Sequence, residues 1–412
     1  MPKYEDVVIH IPHEFPEIEY LAPYKPELEP VFSAKAFAPF YEGAISFFQK
    51  LSTQLLKNQS AKDYPDVISY AFWCRDASLR VMKKNYVGKQ LRLGRGILFH
   101  IAPSNVPVNF AYSMTVGLLA GNANVVRVPT SKFPQVDIIC SAIRELIETA
   151  EFQSIKNHIV LLRYEKNDVI TNYFSANCDV RLIWGGDKTI SDIRRSPLSA
   201  RAFDLTFADR YSLCVIDSAS YIDSADPSRV ALDFYNDTYL FDQNACTAPH
   251  LVVWLGDTNN VKKAQELFWN SLHKVVANRY ELQPVSAVDK LADAYRFAAL
   301  NENCEIYNMV DNAIVRVRLN RIESGIEDAR STCGYFYEYE AKNLNEIAPL
   351  INRKFQTLAY FGVDAILLHD FIEKNRPNGI DRIVPIGRTL DFSLVWDGYD
   401  LICMLSRVVQ VY

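Results

Sequence analysis

The sequence predicts an α/β protein of two domains, each organised around a parallel sheet. Three observations carry that expectation. Short runs such as "NVVRVP", "HIVLLRY" and "VRLIWGG" are predominantly apolar and do not alternate, as in strands buried on both faces. Between them lie stretches with apolar residues at three- and four-residue spacing, the helical period. The 412 residues also exceed what one compact core comfortably holds.

Taken in order, residues 1–33 are rich in proline and acidic side chains and read as an extended arm. From 34 to 86, "FAPFYEGAISFFQKLSTQLL" and "DVISYAFWCRDASLRVMKKNY" carry the helical period. From 94 to 240, the strands "GRGILFHIAP", "NVVRVP", "HIVLLRY", "VRLIWGG" and "SLCVID" alternate with helices in "VNFAYSMTVGLLAG", "PQVDIICSAIRELIETA" and "DVITNYFSAN". Such alternation implies a parallel sheet covered by helices, an architecture of nucleotide-binding type. A second unit follows: "HLVVWLG", the helical "VKKAQELFWNSLHKVVANRY", then strands near 313–319 and 357–361. The expected division is 1–240 for the helical arm and nucleotide-binding domain and 241–375 for a catalytic domain. Residues 376–412 are expected to pack back on the core or to form an oligomer interface. Cys246 falls near the expected junction, and clefts between domains favour ligands.

Composition narrows the function. Net charge is −5 without a basic block, which argues against nucleic acid. No apolar run approaches the roughly 18–20 residues of a membrane span, and the acidic N-terminus lacks a signal-peptide core. A cytoplasmic protein is expected. The eight cysteines are scattered and never form a Cys-x-x-Cys pair, so neither a disulfide framework nor a zinc finger is indicated. His10 and His13 in "HIPH" have no second ligand pair, so no metal is expected.

Three segments carry candidate chemistry. In "LFDQNACTAPH", Cys246 stands between an amide-rich run and an apolar strand; it is either a small core residue or a nucleophile at a loop end. In "HIAPSNVPVNF", Asn105 follows a strand and sits between Pro103 and Pro107, whose fixed φ angles stiffen the segment. It is either a turn asparagine or a donor to a developing oxyanion. In "LIWGGDKTI", Gly185 and Gly186 either end a strand or let backbone amides approach a phosphate. His250 lies four residues beyond Cys246, in the apolar strand; a structural role competes there with a role as base.

Together these segments resemble the aldehyde dehydrogenase superfamily, and within it the acyl-CoA (fatty acid) reductases of the LuxC family. "IAPSNVPV" is similar to the superfamily's Pro-Trp-Asn-Phe-Pro segment, which puts Asn105 on the oxyanion asparagine. "LLAGNANVVRVPT" matches Gly-Asn-x-x-x-x-Lys, with Arg127 where the cofactor-binding lysine stands. "LIWGGD" matches the turn below the pyrophosphate, and "DQNACTAP" the segment of the nucleophilic cysteine, Cys246. The closing "GIDRIVPIGRTLDFSLVWDGYDLICMLSR" looks like the end of the acyl-CoA reductase branch. The resemblance spans about residues 90 to 412 with its motifs in matching order.

The resemblance implies a two-domain aldehyde dehydrogenase-like α/β fold, a Rossmann-like nucleotide-binding domain plus a catalytic α/β domain. It also implies reduction of an acyl thioester to the aldehyde through an acyl-enzyme on Cys246. Its implied cofactor site comprises Arg127, Thr130, Ser131, Gly185 and Gly186. Many NAD-using relatives carry glutamate where Thr130 stands; here cations and hydroxyls, Lys132 among them, favour the 2′-phosphate of NADPH. Two departures matter. Thr206, in "FDLTFADRYS", stands where the superfamily has its water-activating glutamate, and "STCGYFYEY" lacks the ribose-binding one. The expected acyl donor is acyl-CoA or an acylated partner protein, the latter pointing to an acyl-protein synthetase, and a homo-oligomer is expected. An oxidising aldehyde dehydrogenase and a cysteine acyltransferase without nicotinamide are the competing readings.

Overall fold

The structure, a computed structural model, describes residues 15, 17–86, 88, 90–307 and 311–412. His10 and His13 lie outside the described residues. Two compact units emerge, residues 1–208 with 399–412, and residues 209–398.

The first unit is built on strands β1 (Glu19–Ala22), β2 (Arg92–Gly94), β3 (Ile97–Ile101), β4 (Ala123–Arg127), β5 (Ile159–Arg163), β6 (Val180–Trp184) and β7 (Phe203–Phe207). Six of them form a sheet in the order β1-β5-β4-β3-β6-β7. All pairings are parallel except that of β1, which lies antiparallel on β5. Part of the N-terminal arm is thus a true strand, recognisable only by its partner. From β3 the chain steps outward to β4 and β5, then returns to β6 on the other side. That reversal makes the carboxyl ends of β3 and β6 the switch point at which doubly wound sheets bind nucleotides.

The expected helices are present at Asn109–Leu119, Pro134–Ile147 and Asp168–Ala176. Local chemistry sets their starts. Pro134 occupies the first turn, where its missing N–H costs nothing. The Asn167 side chain accepts from the Val169 and Ile170 amides. The helix Asn109–Leu119 buries nine of its residues and presses on β4 at Gly117, where any Cβ would collide with the Asn124 carboxamide. Below it runs a buried polar chain: His100 Nδ1 to Ser113 Oγ, 2.8 Å, and His100 Nε2 to Asn124 Oδ1, 3.0 Å. Trp184 Nε1 donates to the same Ser113 Oγ at 3.0 Å and its ring stacks on Phe207, centroids 3.7 Å apart. These satisfied contacts fix the carboxyl ends of β3 and β6.

The second unit holds β8 (Tyr211–Asp217), β9 (Pro249–Leu255), β10 (Cys304–Ile306), β11 (Val315–Leu319), β12 (Tyr335–Ala341), β13 (Phe355–Phe361) and β14 (Arg382–Pro385). Their order is β10-β11-β12-β9-β8-β13-β14, parallel apart from β10. Strand β9 is buried at every position, and alternate side chains feed apolar clusters on the two faces. One cluster contains Leu251, Val253 and Tyr337; the other contains Val252, Trp254 and Phe336.

The division differs from the sequence expectation of 1–240, 241–375 and 376–412. Strand β8, the "SLCVID" assigned to the first domain, pairs with β9 and β13 and so belongs to the second. Strand β14 also joins that sheet, beside β13. Only the last residues return to the first unit, where Ser406–Val408 lies antiparallel on β2. Strand partners, which no local pattern encodes, decide the boundary.

Candidate active site

Cys246 lies in a turn between the helical end at Tyr239–Phe241 and β9. The turn opens with two consecutive non-glycine residues in left-handed conformation, Asp242 at φ 51° and Gln243 at φ 60°. Each such residue costs about 1–2 kcal/mol, so other contacts must hold the turn. Gln243 supplies them. Its buried amide donates to Pro249 O at 3.0 Å and Tyr335 O at 2.9 Å, and accepts from the Gly334 and Tyr335 amides at 3.0 Å each. Asp242 Oδ1 accepts from Tyr280 OH at 2.6 Å, and its carbonyl accepts from Cys333 N at 3.0 Å. Ser212 Oγ donates to Cys246 O at 2.7 Å while accepting from Thr357 N at 3.2 Å, which ties the cysteine's backbone to β8 and β13.

The thiol is therefore held in place, and its charge state is set by its surroundings. Cys246 keeps some accessible surface, yet it is densely surrounded, and burial pushes its pKa up to about 12. Nearby Asp397 adds to the rise, Gln356 opposes it by donating to the sulfur, and Asp209 raises it slightly. Gln356 also donates to the Asp397 carboxylate, and Asp397 itself sits at φ 48°. Asp209 pairs with Arg330. Sequence reasoning missed Gln243, Gln356 and Asp397. The only signal was that Asp397 falls in the closing run similar to the acyl-CoA reductase end.

His250 is not placed to serve as base. It is buried in β9, its ring 5.5 Å from that of Tyr211, and burial lowers its pKa to about 3. An imidazole that holds a proton so weakly does not take one from a thiol. The structural reading of His250 prevails.

In the first unit, the predicted residues gather at the carboxyl edge of the sheet. Asn105 follows β3 in an exposed bend, and its side chain makes no hydrogen bond among the described residues. A turn asparagine would spend its amide on the local backbone; this one keeps it available. Arg127 ends β4. Its Nε and Nη2 donate to Tyr164 O at 3.3 and 3.1 Å, and the guanidinium lies 4.5 Å from the Tyr164 ring centroid. Nη1 has no partner among the described residues. The hydroxyls of Thr130 (half-buried) and Ser131 (exposed) likewise make no hydrogen bond there. Gly185 and Gly186 follow β6, with Gly186 capping the helix Asp187–Ile193. A Cβ on Gly186 would meet nothing within 4 Å, so that turn faces open space. This edge, with a free guanidinium arm, two free hydroxyls and an open glycine turn at the sheet's switch point, fits a dinucleotide.

The two departures have structural counterparts. Thr206 lies half-buried in β7, opposite Ile183. The one carboxylate of that strand, Asp204, is held by buried Arg181 at 2.8 Å and by Arg194 at 3.4 Å. In "STCGYFYEY" the glutamate is Glu338, wholly buried and bonded to Trp254 Nε1 at 2.9 Å, Trp269 Nε1 at 2.7 Å and Arg316 Nε at 2.6 Å. It is a core residue. Among the described residues no cluster of three metal-ligating side chains occurs, and no helix is long and apolar enough to cross a membrane.

The fold is that of the aldehyde dehydrogenases. Aldehyde dehydrogenase 21 from Physcomitrella patens, solved with succinate, superposes with a TM-score of 0.66 at 12% identity over 93% of this chain and 89% of its own. A lactaldehyde dehydrogenase gives 0.64 at 12% identity, over 93% and 90%. An NAD-dependent benzaldehyde dehydrogenase from Corynebacterium glutamicum gives 0.61 at 14% identity, over 92% and 88%. No curated protein sequence matches the chain. The family of acyl-CoA reductases (LuxC) matches residues 40–409, and the chain belongs to that family of oxidoreductases.

Proposed function

We propose that this protein reduces a fatty acyl thioester, with acyl-CoA as donor, to the aldehyde with NADPH, through an acyl-enzyme on Cys246. The observation that carries this reading is the pinned turn of Cys246, a strained loop held by hydrogen bonds to Pro249, Gly334, Tyr335, Tyr280, Cys333 and Ser212. An acylated partner protein made by an acyl-protein synthetase presents the same thioester and is the second donor consistent with it.

In the first step, Cys246 Sγ bonds to the thioester carbonyl carbon as the carbon–sulfur bond to coenzyme A breaks. The proton lost by Cys246 is matched by the one gained at the coenzyme A sulfur, so the exchange is proton-neutral. Splitting the reduction at a covalent intermediate replaces one difficult step with two easier ones. Asn105 is the proposed donor to the thioester oxygen as it gains charge. Arg127, Thr130 and Ser131 would hold the adenosine end of the cofactor, and the Gly185–Gly186 turn its pyrophosphate. A reduced nicotinamide, when bound, supplies the hydride. One proton from solvent then completes the balance, protonating the Cys246 sulfur as the carbon–sulfur bond breaks and aldehyde leaves.

The test is NADPH oxidation on addition of acyl-CoA of several chain lengths, with the aldehyde measured. Cys246→Ala should show none while still binding NADPH. No oxidation by the wild type, or an active Ala variant, would remove the reading. Equal kcat/KM for NADH, or an Arg127→Ala variant with an unchanged cofactor ratio, would remove the preference for NADPH alone.

A further inference from the structure

At the opposite, amino-terminal edge of the first unit's sheet lies a cavity of about 370 Å³ lined by Arg95, Asp179, Arg201 and Arg407. Arg95 precedes β3, Asp179 precedes β6 and Arg201 precedes β7, while Arg407 comes from the closing strand on β2. Five-residue strands rise about 3.3 Å per residue, so this edge is a strand's length from Arg127, Asn105 and Gly185. It is not part of the site described above.

Three arginines and one aspartate line this cavity, and one oxygen of the carboxylate is held by the backbone. Asp179 Oδ2 accepts from Ile97 N at 2.8 Å, brought close by Gly96 at φ 138°, where any Cβ would collide with that oxygen. Arg95 Nε donates to Met404 O at 2.6 Å, and its guanidinium lies 4.9 Å from the Phe203 ring centroid. The side chains of Arg201 and Arg407 make no hydrogen bond or ion pair among the described residues. Arg92 adds a fourth positive charge, its guanidinium bonded to Ser406 Oγ and Cys403 O at 2.8 Å each. Burial, Arg92 and Arg201 together lower the pKa of Arg95, with Asp179 opposing. The cluster repels itself.

Positive charge outnumbers negative in this cavity, and an anion there would balance it. Guanidinium forks match phosphate oxygens bidentately. The volume exceeds that of inorganic phosphate and falls at the small end of ligand pockets, about 300–1,000 Å³. We propose that this cavity is a second binding site, for the phosphate group of a small organic phosphate of nucleotide size, separate from the acyl-transfer site.

The experiment is calorimetric titration with inorganic phosphate and with ADP. The proteins are the wild type, the double variant Arg201→Ser/Arg407→Ser, and Arg127→Ala as control. Both arginines of the double variant are exposed and unpartnered, so the fold should persist, which circular dichroism and the unfolding midpoint check. The expected result is two classes of ADP binding, one weakened in Arg127→Ala and one weakened at least tenfold in the double variant, with inorganic phosphate binding more weakly at the second. Phosphate binding as tightly as ADP, and lost in the double variant, would support the anion site and name free phosphate as its source. ADP binding lost only in Arg127→Ala, with phosphate indifferent to the double variant, would overturn the proposal. So would the absence of saturable binding of either probe.

Discussion

Burial pushes the Cys246 pKa up to about 12, far above neutral pH, with Asp397 adding to the rise. Burial thus favours the neutral thiol at Cys246, and the thiolate is the reactive form. The sign of the shift fixes a pH dependence. Because the pKa is raised, the thiolate fraction grows about tenfold per pH unit from 7 to 10 with no plateau. The alkylation rate of Cys246 by iodoacetamide, followed by mass spectrometry without substrate, should rise in the same way. A plateau near pH 8 would refute the buried neutral thiol. Removing the neighbouring charge with Asp397→Asn should speed alkylation at fixed pH, because Asp397 is the charge that most disfavours the thiolate. An unchanged rate would mean that burial alone sets it. Asn105 offers a complementary check. Its amide has no other work among the described residues, so Asn105→Ala should lower kcat by roughly 10²- to 10³-fold and move KM much less. A raised KM with normal kcat would make it a substrate-positioning residue instead.

The elements that position these groups were unequally legible. Strands β3, β4, β5, β6 and β9 are predominantly apolar and were readable directly from the sequence. Strand β12 was not, because "YFYEYEA" mixes tyrosines with two glutamates; its place is secured by Glu338 finding Trp254, Trp269 and Arg316, partners far away in sequence. Cys246, Asn105 and the glycine pair were visible because turn residues and a lone cysteine stand out locally. Gln243 was not, since a buried amide that serves four backbone groups looks in sequence like any loop glutamine. Its importance can be measured. Gln243→Leu removes both the donor and the acceptor and leaves buried backbone groups of Gly334, Tyr335 and Pro249 unpaired, at about 1–3 kcal/mol for each group so stranded. The urea unfolding midpoint should fall markedly, and alkylation of Cys246 should quicken as the left-handed turn loosens. A variant of native stability would show that the turn is held by something other than this amide.

For the molecule as a whole, the fold class and family were legible in the order of four short motifs, while the division into units was not, because β8 declares its sheet only through β9 and β13. The proposed acyl-enzyme also carries an expectation about its own fate. A thioester on Cys246 can be attacked by water, returned to a thiol or reduced. Water needs a positioned base, which typically contributes 10²- to 10⁴-fold. Strand β7 offers none: Thr206 has a hydroxyl too weakly basic near neutral pH, and Asp204 is held by Arg181 and Arg194. His250, with its pKa near 3, is no substitute. Acyl-CoA without NADPH should therefore release about one equivalent of coenzyme A per site, a covalent burst, and then almost stop. The acyl group should remain on Cys246 and be chased to aldehyde when NADPH is added. Thr206→Glu should turn the burst into continuous hydrolysis if position 206 corresponds, as the sequence resemblance implies, to the superfamily's water-activating glutamate. Release of coenzyme A past the first turnover is the quantity to follow. If the unaltered enzyme continued at a rate close to its reductive kcat, water would be finding a base that β7 does not supply, and a dedicated reductase would be the wrong description.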